Sequence, residues 1–163
     1  MPRTLIAGFG NVLRGDDGFG VEVARQLERA GGLPPCTVVL EVGTGGIALA
    51  QALLTPYDRL IVVDAILRGG TPGLLHVLRV ESVEALRSID MHMAVPSRAL
   101  GLAQLLGVLP PEVFLVGCEP ADVENLTMEL SEPVGKAVAD AVNAIVRLLA
   151  TEPQLETPER VRG

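Results

Sequence analysis

Short apolar runs alternate with segments of helical spacing along most of the chain. That alternation predicts strands and helices in turn. Thr4-Leu5-Ile6-Ala7 opens a strand expected over residues 3–8, followed by a helix over 17–30 in which Val21, Ala24 and Leu27 share one face. Gly31-Gly32 and Pro34-Pro35 end that helix. A second strand is predicted over 37–42, and Gly43-Thr44-Gly45-Gly46 then opens a short helix that runs to Leu54 before Pro56 breaks it.

The run Arg59-Leu60-Ile61-Val62-Val63-Asp64 is apolar almost throughout, as a parallel strand buried on both faces must be, and it ends in a carboxylate. Residues 73–80 read as a further strand, 82–86 as a short helix capped by Ser82, 89–96 as a loop and 97–106 as a helix. The last strand is expected over 113–117. The last helix covers 131–150, with Val134, Val138, Ala141, Ile145 and Leu148 in one stripe.

Strands alternating with helices give an α/β fold, a three-layer α/β/α sandwich with a mostly parallel central sheet, of the phosphorylase/hydrolase-like kind. One domain over residues 1–150 with a flexible polar tail over 151–163 accounts for the pattern. In such a sheet the site lies at the carboxyl ends of the strands. Asp17, Thr44 and Asp64 each follow a strand, so the topology gathers them on one rim.

Composition narrows the chemistry. With 48% apolar residues and 18 glycines in 163, the chain has ample material for a core and needs neither disulfide nor structural metal to fold. A net charge of -7 and only four aromatic residues, Phe9, Phe19, Tyr57 and Phe114, exclude nucleic acid as a partner. Lys136 is the single lysine, so Schiff-base and P-loop chemistry have one poorly placed candidate on the last helix. Cys36 and Cys118 form no CxxC and are expected to be two buried thiols. No apolar run approaches the ~20 residues of a membrane span, and the N-terminus lacks a signal-peptide core, so a cytoplasmic protein is expected.

Asp64, at the end of an apolar strand, needs a cation, a hydrogen-bond donor or a proton. Asp16 and Asp17 serve either as part of a site or as caps of the following helix. Of the two histidines, His76 sits in strand-like sequence and is expected to be a satisfied edge residue, whereas His92 lies in a loop. Two carboxylates and an imidazole on one rim make an open O,O,N site suited to nickel, zinc or a similar divalent ion.

Two rivals fit less well. Gly8-Phe9-Gly10 with Glu41 imitates a dinucleotide fingerprint, but Leu13 stands where the third glycine belongs. Serine hydrolysis lacks a GxSxG motif. A non-catalytic module binding a peptide or small molecule at the Gly-rich rim stays open.

Gly8-Phe9-Gly10-Asn11-Val12-Leu13 with Asp16-Asp17-Gly18-Phe19-Gly20 resembles the opening motif of the hydrogenase maturation proteases. The resemblance continues through Val62-Val63-Asp64-Ala65, Asp90-Met91-His92 and Val116-Gly117-Cys118-Glu119-Pro120-Ala121-Asp122. It implies a cytoplasmic endopeptidase that removes a C-terminal peptide from the nickel-loaded precursor of a nickel-iron hydrogenase large subunit. It also implies a metal-binding cleft formed by Asp17, Asp64 and His92, and the expected catalytic residues Asp17 and Asp64 act there in one of two ways: by holding a metal that polarises the scissile carbonyl or activates a water, or with either carboxylate as general base. The metal is nickel carried by the substrate, with zinc or another divalent ion as the alternative. Gly43, Thr44 and Gly45 either offer backbone donors to the substrate or form a plain turn. The other reading the resemblance leaves is a maturation factor that binds metal or peptide without cutting.

Overall fold

The computed structural model describes residues 2–84 and 94–152. A five-stranded sheet is built from β1 (Thr4–Phe9), β2 (Thr37–Gly43), β3 (Arg59–Ala65), β4 (Leu75–Arg79) and β5 (Glu112–Cys118), in the spatial order β2-β1-β3-β5-β4. β1, β2, β3 and β5 run parallel, while β4 pairs antiparallel with β5 at one edge. Helices α1 (Phe19–Ala30), α2 (Ile47–Ala52), α3 (Ala94–Leu105) and α4 (Glu132–Leu149) cover the faces.

Strand parity divides the core into two layers. Leu5, Ala7, Phe9, Leu60, Val62, Val113 and Leu115 pack with Leu49 of α2, with Leu53 just after it, and with Ala99, Leu100 and Ala103 of α3. Ile6, Ile61, Val63 and Val116 pack on the other face with Phe19, Val23 and Leu27 of α1 and Val134, Val138, Ala141 and Ile145 of α4. Apolar residues on both faces of each central strand are what a sheet covered on both sides requires. Every residue of β3 is buried, including the charged ones at its two ends, Arg59 and Asp64.

From β1 the chain passes through α1 to β2 on one side, then crosses back through α2 to β3 on the other. The strand order therefore reverses between β1 and β3, and an open α/β sheet forms its crevice at the carboxyl ends of those two strands. Asp16 and Asp17 stand beyond β1 and Asp64 at the end of β3, so both flank that point.

Several boundaries differ from expectation. Residues 15–18 form a separate 3-10 turn, and α1 begins at Phe19 with Gly18 in the capping position, so neither Asp16 nor Asp17 caps it. α3 begins at Ala94, inside the expected loop; of the helix expected over 82–86, the described residues include Val83 and Glu84. Cys36 is exposed rather than buried, with φ of 68° in the turn before β2. Cys118 is buried as expected. The tail beyond residue 152 lies outside the described residues.

Candidate active site

The turn after β1 is shaped by close backbone packing. Gly10 has φ of 129°, and a Cβ on it would stand 1.8 Å from the Asp17 carbonyl oxygen and 3.7 Å from Asp64 Oδ1. A side chain there is excluded twice, by conformation and by contact. Gly20 likewise lets the first turn of α1 rest on the strand ends, because a Cβ would meet Val63 O at 2.2 Å and Phe9 O at 2.4 Å. These glycines bring the Asp17 turn onto the end of β3, so the repeat that imitates a dinucleotide fingerprint has a packing explanation here.

Asp64 is 4% exposed, and its Oδ1 accepts the Ala65 N–H at 2.8 Å. It has the parity of Leu60 and Val62, whose side chains face α2 and α3. Asp17 is half-buried, and its Oδ2 accepts the Asn11 N–H at 3.0 Å. The Asp17 backbone and the Asp64 carboxylate thus both approach Gly10. Gly43 joins the same rim: its carbonyl accepts the Gly10 N–H at 2.9 Å, and with Thr44 it borders a groove that also includes Gly10 and Asn11. Gly45 is exposed and outside that groove lining. His92 lies outside the described residues, and among the described residues no three His, Cys, Asp or Glu side chains are grouped to hold a metal ion.

Asp16 has a different role from its neighbour. It is 1% exposed and accepts hydrogen bonds from the N–H groups of Ala121 (2.8 Å), Asp122 (3.1 Å) and Ser131 (2.7 Å) and from Ser131 Oγ (2.8 Å). One carboxylate thereby ties the turn after β1 to the loop after β5 and to the start of α4. Ser131 holds the N-cap position of α4, yet its hydroxyl goes to Asp16 rather than to its own helix.

Glu119, just past β5, plays a matching part on the other side of the crevice. Its Oε1 accepts the Arg68 N–H at 2.9 Å and lies 3.0 Å from His76 Nε2. Burial pushes the Glu119 carboxyl up, but hydrogen bonds from His76, Gly70 and Arg68, with the charge of His76, hold it below the ordinary carboxylate value. His76 is accordingly the satisfied edge histidine expected of it. Cys118 is pushed up to about 12 by burial and by the nearby Asp16 and Glu119 carboxylates, so its thiol stays protonated near neutral pH and is no nucleophile.

A family model described as hydrogenase maturation protease matches residues 21–148 of the chain. The chain belongs to the hydrogenase maturation protease family. Among its relatives, the hydrogenase expression/formation protein HupD of Rhizobium leguminosarum bv. viciae is 34% identical over 151 residues, which span 91% of this chain and 74% of that protein. The hydrogenase 2 maturation protease of Escherichia coli K12 is 34% identical over 125 residues, 75% of this chain and 76% of that one. The solved structure of the hydrogenase maturating endopeptidase HybD from E. coli superposes with a TM-score of 0.80 at 31% identity, covering 90% of this chain and 91% of that one.

Membership bears out the expected fold and the expected class, an endopeptidase hydrolysing peptide bonds. No helix among the described residues of this hydrogenase maturation protease is long and apolar enough to cross a membrane. Sequence reasoning missed two of its residues, Asp16 as a clamp and Glu119 as the partner of His76. The only signal for either was a carboxylate just beyond a strand, which does not reveal partners far along the chain.

Proposed function

We propose that this protein removes a C-terminal peptide from the nickel-loaded precursor of a nickel-iron hydrogenase large subunit, in the cytoplasm. The observation that carries the reading is the buried Asp64 carboxylate at the sheet's switch point, with the Asp17 turn folded against it through Gly10. Nickel arrives as part of the substrate, and Asp17, Asp64 and His92 are its ligands on the protease side; zinc or another divalent ion is the alternative for the same O,O,N set.

Hydrolysis of the scissile bond then needs a water, a base and a place for the developing oxyanion. Asp17 and Asp64 are the carboxylates available as base, in an aspartic-type reaction: one takes the proton of the attacking water and returns it to the leaving amine as the C–N bond breaks. The backbone N–H groups of Gly43, Thr44 and Gly45 serve the substrate chain. The half-exposed Asp17 suits contact with a substrate arriving from solvent.

The test is incubation of purified wild-type protein, Asp64→Asn and His92→Ala with the precursor in nickel-loaded and nickel-free form, with the C-terminus followed by intact-mass spectrometry. Loss of the C-terminal peptide is expected only from the nickel-loaded precursor and only with the wild type. Equal trimming of nickel-free precursor, or trimming by Asp64→Asn at the wild-type rate, overturns the metal-reading site.

A further inference from the structure

Of the thirteen large apolar side chains exposed among the described residues, six lie at the carboxyl end of the sheet, and a second group, Leu54, Leu102, Leu105 and Leu106, lies at or just past the ends of α2 and α3. Leu13, Ile47, Leu67, Leu74, Leu126 and Met128 all lie on, or directly beyond, connections at the carboxyl end of the sheet, and the connections after β1, β2, β3 and β5 each contribute. They share the carboxyl end of the sheet with Asp17 and Asp64. Leu126 is 83% exposed and Met128 71%.

The segments that carry them are held in place. Arg14 pairs with Thr127 in a parallel bridge, the Thr127 N–H donates to Leu13 O at 3.0 Å, and the Gly15 N–H donates to Thr127 O at 2.8 Å. Asp16 clamps both sides of this ribbon, and Asp122 accepts the N–H groups of Glu124 and Asn125 just before it. Across the crevice, Glu119 accepts the Arg68 N–H, and its carbonyl accepts the Gly73 N–H at 2.8 Å, which fixes the connection bearing Leu67 and Leu74. Behind Met128 a groove of about 420 Å³ is lined partly by Val12, Leu130 and Val138.

Apolar surface held ordered against water marks a surface for a protein partner, since little conformational freedom is lost when it is covered. We propose that this apolar collar docks the folded body of the protein substrate and sets its scissile segment over Asp64. The proposal rests on the reading of the substrate as a large-subunit precursor. Its position argues for that occupant, because the collar is continuous with the cleft that must receive the scissile segment. Apolar contact further suits a protease of net charge -7, which has no excess of positive charge with which to attract an acidic partner.

The experiment measures binding of the nickel-loaded precursor to immobilised protease by biolayer interferometry, alongside KM and kcat for trimming. The double variant Leu126→Ser/Met128→Ser and the single variant Leu13→Ser are compared with Leu105→Ser, an exposed leucine at the end of α3, which leads into the amino end of β5. The expected result is Kd and KM roughly tenfold higher for the double variant, kcat within about twofold, and no change for Leu105→Ser. Unchanged Kd and KM in both collar variants overturn the proposal. So does light scattering that finds a wild-type dimer dissociated by the double variant, which assigns the collar to a second copy. A wild type that binds the precursor through the collar without trimming it upholds the docking surface and sinks the cleavage reading; a wild type that neither binds nor trims overturns both.

Discussion

The two ends of the sheet treat buried charge in opposite ways. At the amino end, Arg59 and Glu112 are 1% and 2% exposed and neutralise each other, with Nε donating to Oε1 at 2.5 Å. The guanidinium also donates to Leu148 O at 2.6 Å and Thr151 O at 2.8 Å, so it anchors the end of α4 beneath the sheet. At the carboxyl end Asp16 is satisfied by backbone and hydroxyl donors of no net charge, and Asp17 beside it stays half-exposed. A cation and its counter-ion close the first end as architecture; at the second, neutral donors hold the Asp16 carboxylate in position without cancelling its charge. That retained charge is what a site for a cation or an attacking water requires.

The sharpest way to break this comparison is to exchange adjacent residues. Asp17→Asn should lower the trimming rate by about 10²–10⁴-fold, the usual worth of a general acid or base, and leave the melting temperature close to wild type. Asp16→Asn puts an amide where four donors converge and should cost about 2 kcal/mol of stability. Rate assays on both variants, paired with urea denaturation, check this. If Asp16→Asn is silent in denaturation and Asp17→Asn is the unstable one, the division of labour between them is reversed.

The amino end should answer in stability alone. Arg59→Met removes the guanidinium that faces the buried Glu112 carboxylate and should cost about 3–5 kcal/mol. The double variant Arg59→Met/Glu112→Leu should recover most of that loss, because an apolar pair of similar volume has no charge to desolvate. Folded protein of either variant should trim precursor at the wild-type rate. A rate defect in the recovered double variant would mean that the two ends are coupled.

What was legible in the sequence follows the same division between local and distant. Leu60 to Val63 announce a buried strand by apolarity alone, and Asp64 is conspicuous because it ends that run, so the candidate catalytic residue is readable within a few residues. The direction of β4 is not, because whether a short strand pairs parallel or antiparallel depends on a partner outside it. For Asp16 the sequence left a site role and a helix cap open, both local options, whereas its actual donors lie 105 to 115 positions away. Arg59 and Glu112 are 53 apart. Fold class is thus written in periodicity, while the clamps that shape the rim exist only once distant segments meet. His92, which the resemblance of Asp90-Met91-His92 singles out, lies outside the described residues.

The smallest effect concerns the other clamp of the carboxyl end. Glu119 has its folded value held below the ordinary carboxylate value of 4.5 by His76, Gly70 and Arg68 in spite of its burial. A depressed folded value means that the unfolded chain takes up protons first as pH falls, so the ionised carboxylate stabilises the fold fully above about pH 5 and loses that contribution as pH drops below 4.5 toward the folded value. Glu119→Gln keeps an oxygen to accept the Arg68 N–H but removes the charge. Its deficit against wild type should be about 1 kcal/mol at pH 7, a melting difference of about 2–4 °C for a chain of this size. The difference should shrink steadily between pH 5 and pH 3. Thermal melts of the two proteins across that range check it, and a deficit that stays constant to pH 3 would show that Glu119 acts through shape rather than through its charge.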